Sequence, residues 1–495
     1  MNVSGQDLVE ALRSVLKKIS VVVSSFGDGG TNAHIILEQP TAVAQAPRPA
    51  APRFAPRAVS ARPDSALGRQ AGTPGDWGAI AAGRANLLRL TWTSIIVPGN
   101  PYGAPDAVVV PIAAGGADAA AEAHTLTAYA LNRIQEWLAE DRSPAARLVF
   151  TTRGAIAARP GDPVEDVAAA AVWGLVRAAQ AEHPGRFVLI DHDGHGPSPA
   201  TLLVTGEPEL LVRGDTVLAG RLARCDGTST GPGPAPWDPD GTVLITGFAG
   251  GLAGELARHL VAERHVRHLL MVSPPGRDAP GAVVLQAELI AHGVQATFAA
   301  CDIADRARLA RVIAAVPAEH PLTAVVHTAG ALSNGAAASL TPRGQSETLA
   351  PKADGAWHLH QLTLGAGLAA FVTFSSISAI LGNPSHAGNA AANAFLDALA
   401  QRRAVTALPA TSIAWSNWNR PGRPIGRRRT EDARAMPGVA PLSVLDGPAL
   451  FDAALSTGAA NVVAIGGLAA LPRTAGEVPA MLRGLIRGGR RRPSV

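Results

Sequence analysis

The stretch from Thr242 to Val261 constrains this chain more than any other. Val243, Leu244 and Ile245 form a short apolar run suited to a buried parallel strand, and Leu252, Leu256 and Leu260 then recur at helical spacing. Gly247, Gly250 and Gly251 occupy the junction. Glycines there let the backbone turn sharply and approach a ligand, while the first amides of the helix present positive partial charge to a pyrophosphate. Taken alone, the pattern fits either a dinucleotide site or a packing turn between strand and helix.

With 495 residues, 47% of them hydrophobic, the chain is long enough for two or three globular domains. Lysine occurs only at Lys17, Lys18 and Lys352, and tyrosine only at Tyr102 and Tyr129. Arginine is the default cation, so a lysine in a reacting position is informative and a missing tyrosine is easily verified. The net charge of +4 lies largely in Arg427–Arg429 and Arg490–Arg492, in segments without periodicity or interleaved aromatics. Solvated loop and tail are expected there, not a nucleic-acid surface. Cys225 and Cys301 match no metal or redox spacing and fit a reducing cytoplasm. No signal-type N-terminus and no uninterrupted run of about 18 apolar residues occurs, so neither secretion nor membrane spanning is expected.

In chain order, residues 1–19 carry an amphipathic helical pattern, and Val21–Glu38 places two short apolar strands around a glycine-rich loop. Residues 41–75 are rich in Ala, Pro and Arg without period and read as a linker. Between 76 and 236, strands are expected over Asn86–Val97, Ala107–Ile112, Ala146–Thr151 and Arg186–Asp191, with helical patterns over His124–Glu140 and Pro163–Glu182. This α/β layer lacks a phosphate-binding turn, Arg153-Gly154 being too short, and reads as a support domain. A Gly/Pro-rich loop, Thr228–Pro239, precedes a second α/β domain over 237–488, with strands near 268–273, 295–300, 323–327, 371–375 and 410–415. That alternation is the doubly wound layout, in which ligands bind beyond the carboxyl ends of the strands. Residues 489–495 form a basic tail.

Specific stretches carry a family resemblance. Ser24-Ser-Phe-Gly27 and Gly30-Thr-Asn-Ala-His34 resemble the close of a polyketide-synthase ketosynthase, implying a C-terminal ketosynthase remnant over 1–40. The rest of that enzyme, including its nucleophilic cysteine, is absent, so His34 reads as a relic or a structural histidine and no condensing activity is expected. From about 86 to 488 the chain resembles a ketoreductase domain of a modular polyketide synthase, a two-subdomain member of the short-chain dehydrogenase/reductase family. Ala170–Phe187, Cys301–Asp305, Val325–Gly330, Pro351–Leu359 and Asn393–Leu399 carry that likeness. It implies two Rossmann-like subdomains, a truncated structural one and a catalytic one. It also implies NADPH as cofactor and, as partners, an acyl carrier protein on another chain bearing a phosphopantetheine-tethered β-ketoacyl group, with other synthase modules.

By the same resemblance Lys352, Ser376 and Asn393 fill the lysine, serine and asparagine places of the reductive centre. Gly247, Gly250, Gly251, Leu252, Ser273, Asp302, Ile303, Ala329, Gly330 and Lys352 line the cofactor site. Two departures stand out. The family's tyrosine, which donates the proton, is replaced by Asn389, an amide with no titratable proton near neutrality. The family's arginine for the 2′-phosphate of NADPH is replaced by Pro274, with Arg277 near enough to substitute in part. The stereochemical positions hold Leu332-Ser-Asn334 and Leu381, so product configuration is not legible. Ala253 and Gly254 stand in reversed order relative to the family.

The leading expectation is therefore a ketoreductase-type pseudoenzyme whose reductive centre is degenerate. One alternative is a residual NAD(P)H-dependent β-ketoacyl reductase using water or His386 as proton source; for the cofactor, weak or absent binding is expected ahead of a preference for NADH. The other is a non-catalytic module docking a carrier protein.

Overall fold

The computed structural model describes residues 22–25, 33–36, 85–99, 106–225, 237–248, 251–331, 335–419, 438–468 and 478–485. The expected helix over 1–19, the linker over 41–75, Gly250, Leu332–Asn334, both arginine clusters and the tail over 489–495 lie outside the described residues. The chain divides into two units, Met1–Ala71 and Gly72–Val495. In the first, β1 (Val22–Ser25) pairs antiparallel with β2 (Ala33–Ile36), Val22 opposite Ile36.

The second unit opens with β3 (Leu87–Ser94), β4 (Ala107–Pro111), α1 (Ala119–Ala139), β5 (Arg147–Thr152), α2 (Val167–Glu182) and β6 (Phe187–His192). The expected strands and helices are all present, with shifted limits. α1 begins before His124 because the Asp118 carboxylate accepts from the amides of Ala120 and Ala121. α2 begins after Pro163 because Asp166 caps it through the amide of Ala169. Then follow β7 (Glu209–Arg213) and β8 (Thr216–Arg224), an antiparallel pair that the sequence reading did not single out. The second half comprises β9 (Thr242–Thr246), α3 (Gly251–Arg264), β10 (His268–Ser273), α4 (Ala282–Ala291), β11 (Gln295–Ala300), α5 (Arg306–Ala314) and β12 (Leu322–His327). It continues through α6 (Pro342–Leu349), α7 (Gly355–Leu362), β13 (Ala370–Ser376), α8 (Ala387–Val405), β14 (Thr411–Trp415), α9 (Gly447–Leu455) and β15 (Asn461–Ala464).

Both halves share one sheet of thirteen strands, in the order β11-β10-β9-β12-β13-β14-β15-β3-β8-β7-β6-β5-β4. From β11 to β15 every pairing is parallel. β3 then joins β15 antiparallel, Leu88 opposite Val463, and carries the sheet into the first half. β9 lies centrally in its half with all five residues buried, which explains its unbroken apolar run. Strand order reverses between β9 and β12, the switch point at which doubly wound sheets open a crevice.

Helices α2 and α8 pack against each other across the two halves. Every residue of α2 from Val167 to Ala179 is buried, so its alanine-rich sequence faces protein on all sides. A Cβ at Gly174 would fall 2.1 Å from the Ala390 carbonyl oxygen, which leaves room for glycine alone. Arg177, buried in the same seam, donates to Glu209 and, at 2.7 Å, to the Ala379 carbonyl. A buried guanidinium needs these partners, because an unpaired charge there costs several kcal/mol.

Candidate active site

The site assembles where β9, β12 and β13 end and α6, α7 and α8 begin or pass. Gly247 follows β9 with φ +76°, and a Cβ on it would come within 2.4 Å of Ala329 Cα. Only glycine lets the turn and the Thr328–Gly330 segment approach this closely. Thr246 fixes that segment: its Oγ1 accepts from the Ala329 amide at 3.3 Å, and its carbonyl accepts from Thr328 Oγ1 at 2.5 Å.

Lys352 lies in a five-residue π turn, Ala350–Asp354, between α6 and α7. Its ammonium is buried and donates to Asn393 Oδ1 at 2.7 Å and to the Phe374 carbonyl at 3.3 Å. Burial lowers its pKa from 10.5 to about 8, opposed by the negative charge of Asp397. Asp397, one turn beyond Asn393 on α8, is itself raised to about 6 by burial, despite hydrogen bonds from Ser412 and Ser375. Asn393 turns its amide nitrogen to the Asn389 carbonyl at 2.8 Å, which leaves its oxygen for Lys352.

His327 supports this arrangement from the end of β12. Its Nδ1 accepts from Thr246 Oγ1 at 2.8 Å and its Nε2 donates to the Lys352 carbonyl at 3.1 Å. Burial, then the positive charge of Lys352, hold it down to about 3, so it is neutral near pH 7. The side chain was not singled out from sequence, although it sits within the Val325–Gly330 stretch that carries the resemblance.

Ser376 ends β13. Its Oγ accepts from the Ser378 amide at 3.2 Å and from Ser378 Oγ at 3.0 Å, which leaves its own hydroxyl proton to donate into the site. Ser378, also unremarked in the sequence, accepts at 3.2 Å from Asn389 Nδ2. Lys352, Asn393, Asn389 and Ser376 are thus brought into one network. His386 is not part of it: the ring donates from Nδ1 to the Pro384 carbonyl at 3.0 Å.

Most of the expected cofactor positions among the described residues follow the ends of β9, β10, β11 and β12. Ser273 ends β10 with a buried Oγ that has no hydrogen-bond partner. Pro274 is exposed beside it, and Arg277 is exposed in the adjoining 3-10 turn. Asp302 is exposed and caps its own loop through the Ala304 amide, while Ile303 is buried. Ala329 is buried, and Gly330 lies against the stem of Lys352. Leu252 is half-buried in the first turn of α3. A cavity of about 920 Å³ lies elsewhere, against Phe187, Leu381 and Met481, and none of Lys352, Ser376, Asn389 or Asn393 lines it. It is not the reductive centre. Among the described residues no group of three or more His, Cys, Asp or Glu side chains could hold a metal, and no helix is long and apolar enough to cross a membrane.

A glycine turn at the switch point, a buried lysine and a Ser–Asn pair define a short-chain dehydrogenase/reductase-type fold. Comparison with known proteins makes this specific. The KR domain profile matches residues 241–420, and that of the polyketide synthase extender module SpnB Rossmann fold domain matches residues 40–222. An A-type ketoreductase from a modular polyketide synthase superposes with a TM-score of 0.67 at 31% identity, over 81% of this chain and 98% of that one. The ketoreductase from the first module of phoslactomycin biosynthesis in Streptomyces sp. HK803 gives 0.65 at 30% identity, over 82% and 97%. Polyketide synthase GfsB of Streptomyces halstedii is 46% identical over 404 residues, 79% of this chain but only 7% of that protein. Spectinabilin polyketide synthase system protein NorB of Streptomyces orinoci is 49% identical over 258 residues, 51% of this chain and 12% of that protein. The chain belongs to the ketoreductase domains of modular polyketide synthases.

Proposed function

We propose that this ketoreductase-type chain retains the scaffold of β-ketoacyl reduction but has a degenerate reductive centre. The observation that carries the reading is Asn389. By the resemblance it stands where the family has its proton donor, and its buried amide hydrogen-bonds to Ser378, which in turn bonds to Ser376. An amide supplies no proton near neutral pH, and loss of a general acid costs about 10²- to 10⁴-fold in rate.

The dinucleotide cradle fits an NAD(P)H cofactor. Gly247 lets the Thr328–Gly330 segment close up against the turn after β9, Gly330 packs on the stem of Lys352, and the buried Ser273 hydroxyl is unpartnered. The fit is poorer at the phosphate end, where Pro274 offers neither charge nor backbone donor. When bound, the reduced nicotinamide supplies hydride to the substrate carbonyl carbon. In this chain Ser376 would orient the carbonyl oxygen with its remaining hydroxyl proton, and Lys352, held by Asn393, would keep positive charge near it. The substrate class is a β-ketoacyl group carried on the phosphopantetheine of an acyl carrier protein. The division into 76–236 and 237–488, and a ketosynthase remnant over 1–40, belong to the same proposal.

A second reading, slow reduction with water as proton source, is favoured by the intact Lys352–Asn393 bond. Titration with NADPH and NADH, followed by nicotinamide fluorescence, together with turnover of a β-ketothioester, separates the two. The degenerate reading expects weak or no binding and no turnover. Micromolar binding accompanied by turnover overturns it.

A further inference from the structure

We propose that His124, contributed by the first half of the chain, is a positioning residue for Lys352 and acts through Asp354. The two halves meet at α1 and the α6–π turn–α7 run. A π turn is rare, forms mostly as a single turn, and is often found at functional sites. Here it is held from both sides. On the inner side His327 Nε2 donates to the Lys352 carbonyl at 3.1 Å. On the outer side His124 Nε2 meets Asp354 Oδ1 at 2.9 Å, and His124 Nδ1 meets Ser346 Oγ at 2.9 Å.

The directions of these bonds follow from the groups. An ionised carboxylate only accepts, so Nε2 carries the proton, and Nδ1 is left to accept from the Ser346 hydroxyl. One imidazole on α1 therefore ties down points on either side of Lys352: Ser346 in α6 and Asp354 at the end of the π turn. The His124 and Asp354 side chains are 25% and 21% exposed, so the contact is a partly covered hydrogen bond, for which a net contribution of about 1 kcal/mol is typical. Its consequence is positional. With both ends of the turn fixed, the Lys352 side chain passes Gly330 and reaches Asn393 and Phe374, in the field of Asp397.

The inference rests on Lys352 belonging to the reductive centre, but not on whether that centre still binds cofactor or turns over. Its test needs neither. In the whole chain labelled with ¹³C at lysine, three lysines give three signals, and Lys352→Arg identifies the one from position 352. Titrated without nucleotide, that signal is expected to have a midpoint below the ordinary lysine value in the parent protein, because the ammonium is buried, and exposure to water is expected to move it toward about 10.4. His124→Asn keeps an acceptor for Ser346 but does not reach Asp354, and is expected to raise the midpoint by about one unit or more. His124→Gln places an amide donor where Nε2 lay and is expected to restore the parent midpoint. An unchanged midpoint in folded His124→Asn overturns the proposal, as does an equal rise in both variants. If His124→Asn does not fold, Asp354→Ala, which leaves the His124–Ser346 pair intact, must show the rise. Its absence there is equally decisive.

Discussion

The side-chain amide of Asn389 donates to Ser378 Oγ at 3.2 Å, and Ser378 Oγ donates onward to Ser376 Oγ at 3.0 Å. The hydrogen-bond chain thus runs to Ser376, proposed above to orient the substrate carbonyl, from a group that has no proton to release. Asn389→Tyr places a phenol at its origin, beside a lysine whose charge lowers a phenol pKa. Reduction of a β-ketothioester is expected to rise by about 10²- to 10⁴-fold. Steady-state turnover at saturating NADPH checks this. No gain, with binding intact, places the defect elsewhere in the centre.

The phosphate end makes a separate prediction. Pro274→Arg supplies a guanidinium at the exposed position after Ser273, and a hydrogen bond to a charged group contributes about 1.5–3 kcal/mol. The variant is expected to bind NADPH about 10- to 100-fold more tightly while NADH affinity stays nearly constant. Paired fluorescence titrations measure the ratio.

Acid lability follows from the buried histidines. His327 and His360 are held down to about 3 and about 4, in each case first by burial, so the unfolded chain takes up their protons below about 6.5 and the folded chain does not. Their contribution is fully present above pH 6.5 and is lost as pH falls through those folded values. Asp397, raised to about 6, works the other way between pH 6 and its ordinary 3.8, because there the folded chain binds the proton. Two protons against one leave about one net proton. Stability is expected to fall by about 1.4 kcal/mol per pH unit between pH 6 and 4. Denaturant midpoints across that window test the slope, and a flat profile contradicts it.

Arg177 and Glu209 are each 5% exposed and paired at 2.5 Å. Arg177→Met leaves a buried carboxylate without its partner and is expected to cost about 3–5 kcal/mol. Adding Glu209→Leu is expected to recover much of that loss, because two apolar side chains leave no charge unpaired. Thermal unfolding of the single and double variants measures both steps.

The sequence by itself determined the α/β layering and singled out the candidate site residues. The apolar run in β9, the glycine turn and the spacing of the later strands mark a doubly wound half, because local periodicity and backbone permissiveness are local properties. Lys352, Ser376, Asn393 and the substitution at Asn389 were legible because they lie in short stretches resembling one family, and because lysine and tyrosine are scarce. Tertiary structure alone decided the rest. The continuation of one sheet from β15 into β3 joins residues 463 and 88, and no local pattern encodes that pairing. The same holds for His327 beneath Lys352, Ser378 between Asn389 and Ser376, and His124 against Asp354. Their side chains are ordinary in sequence and gain meaning only through partners set by packing. The low pKa of Lys352 is of this kind as well: the residue is visible in the chain, but the burial that shifts it is a property of the fold.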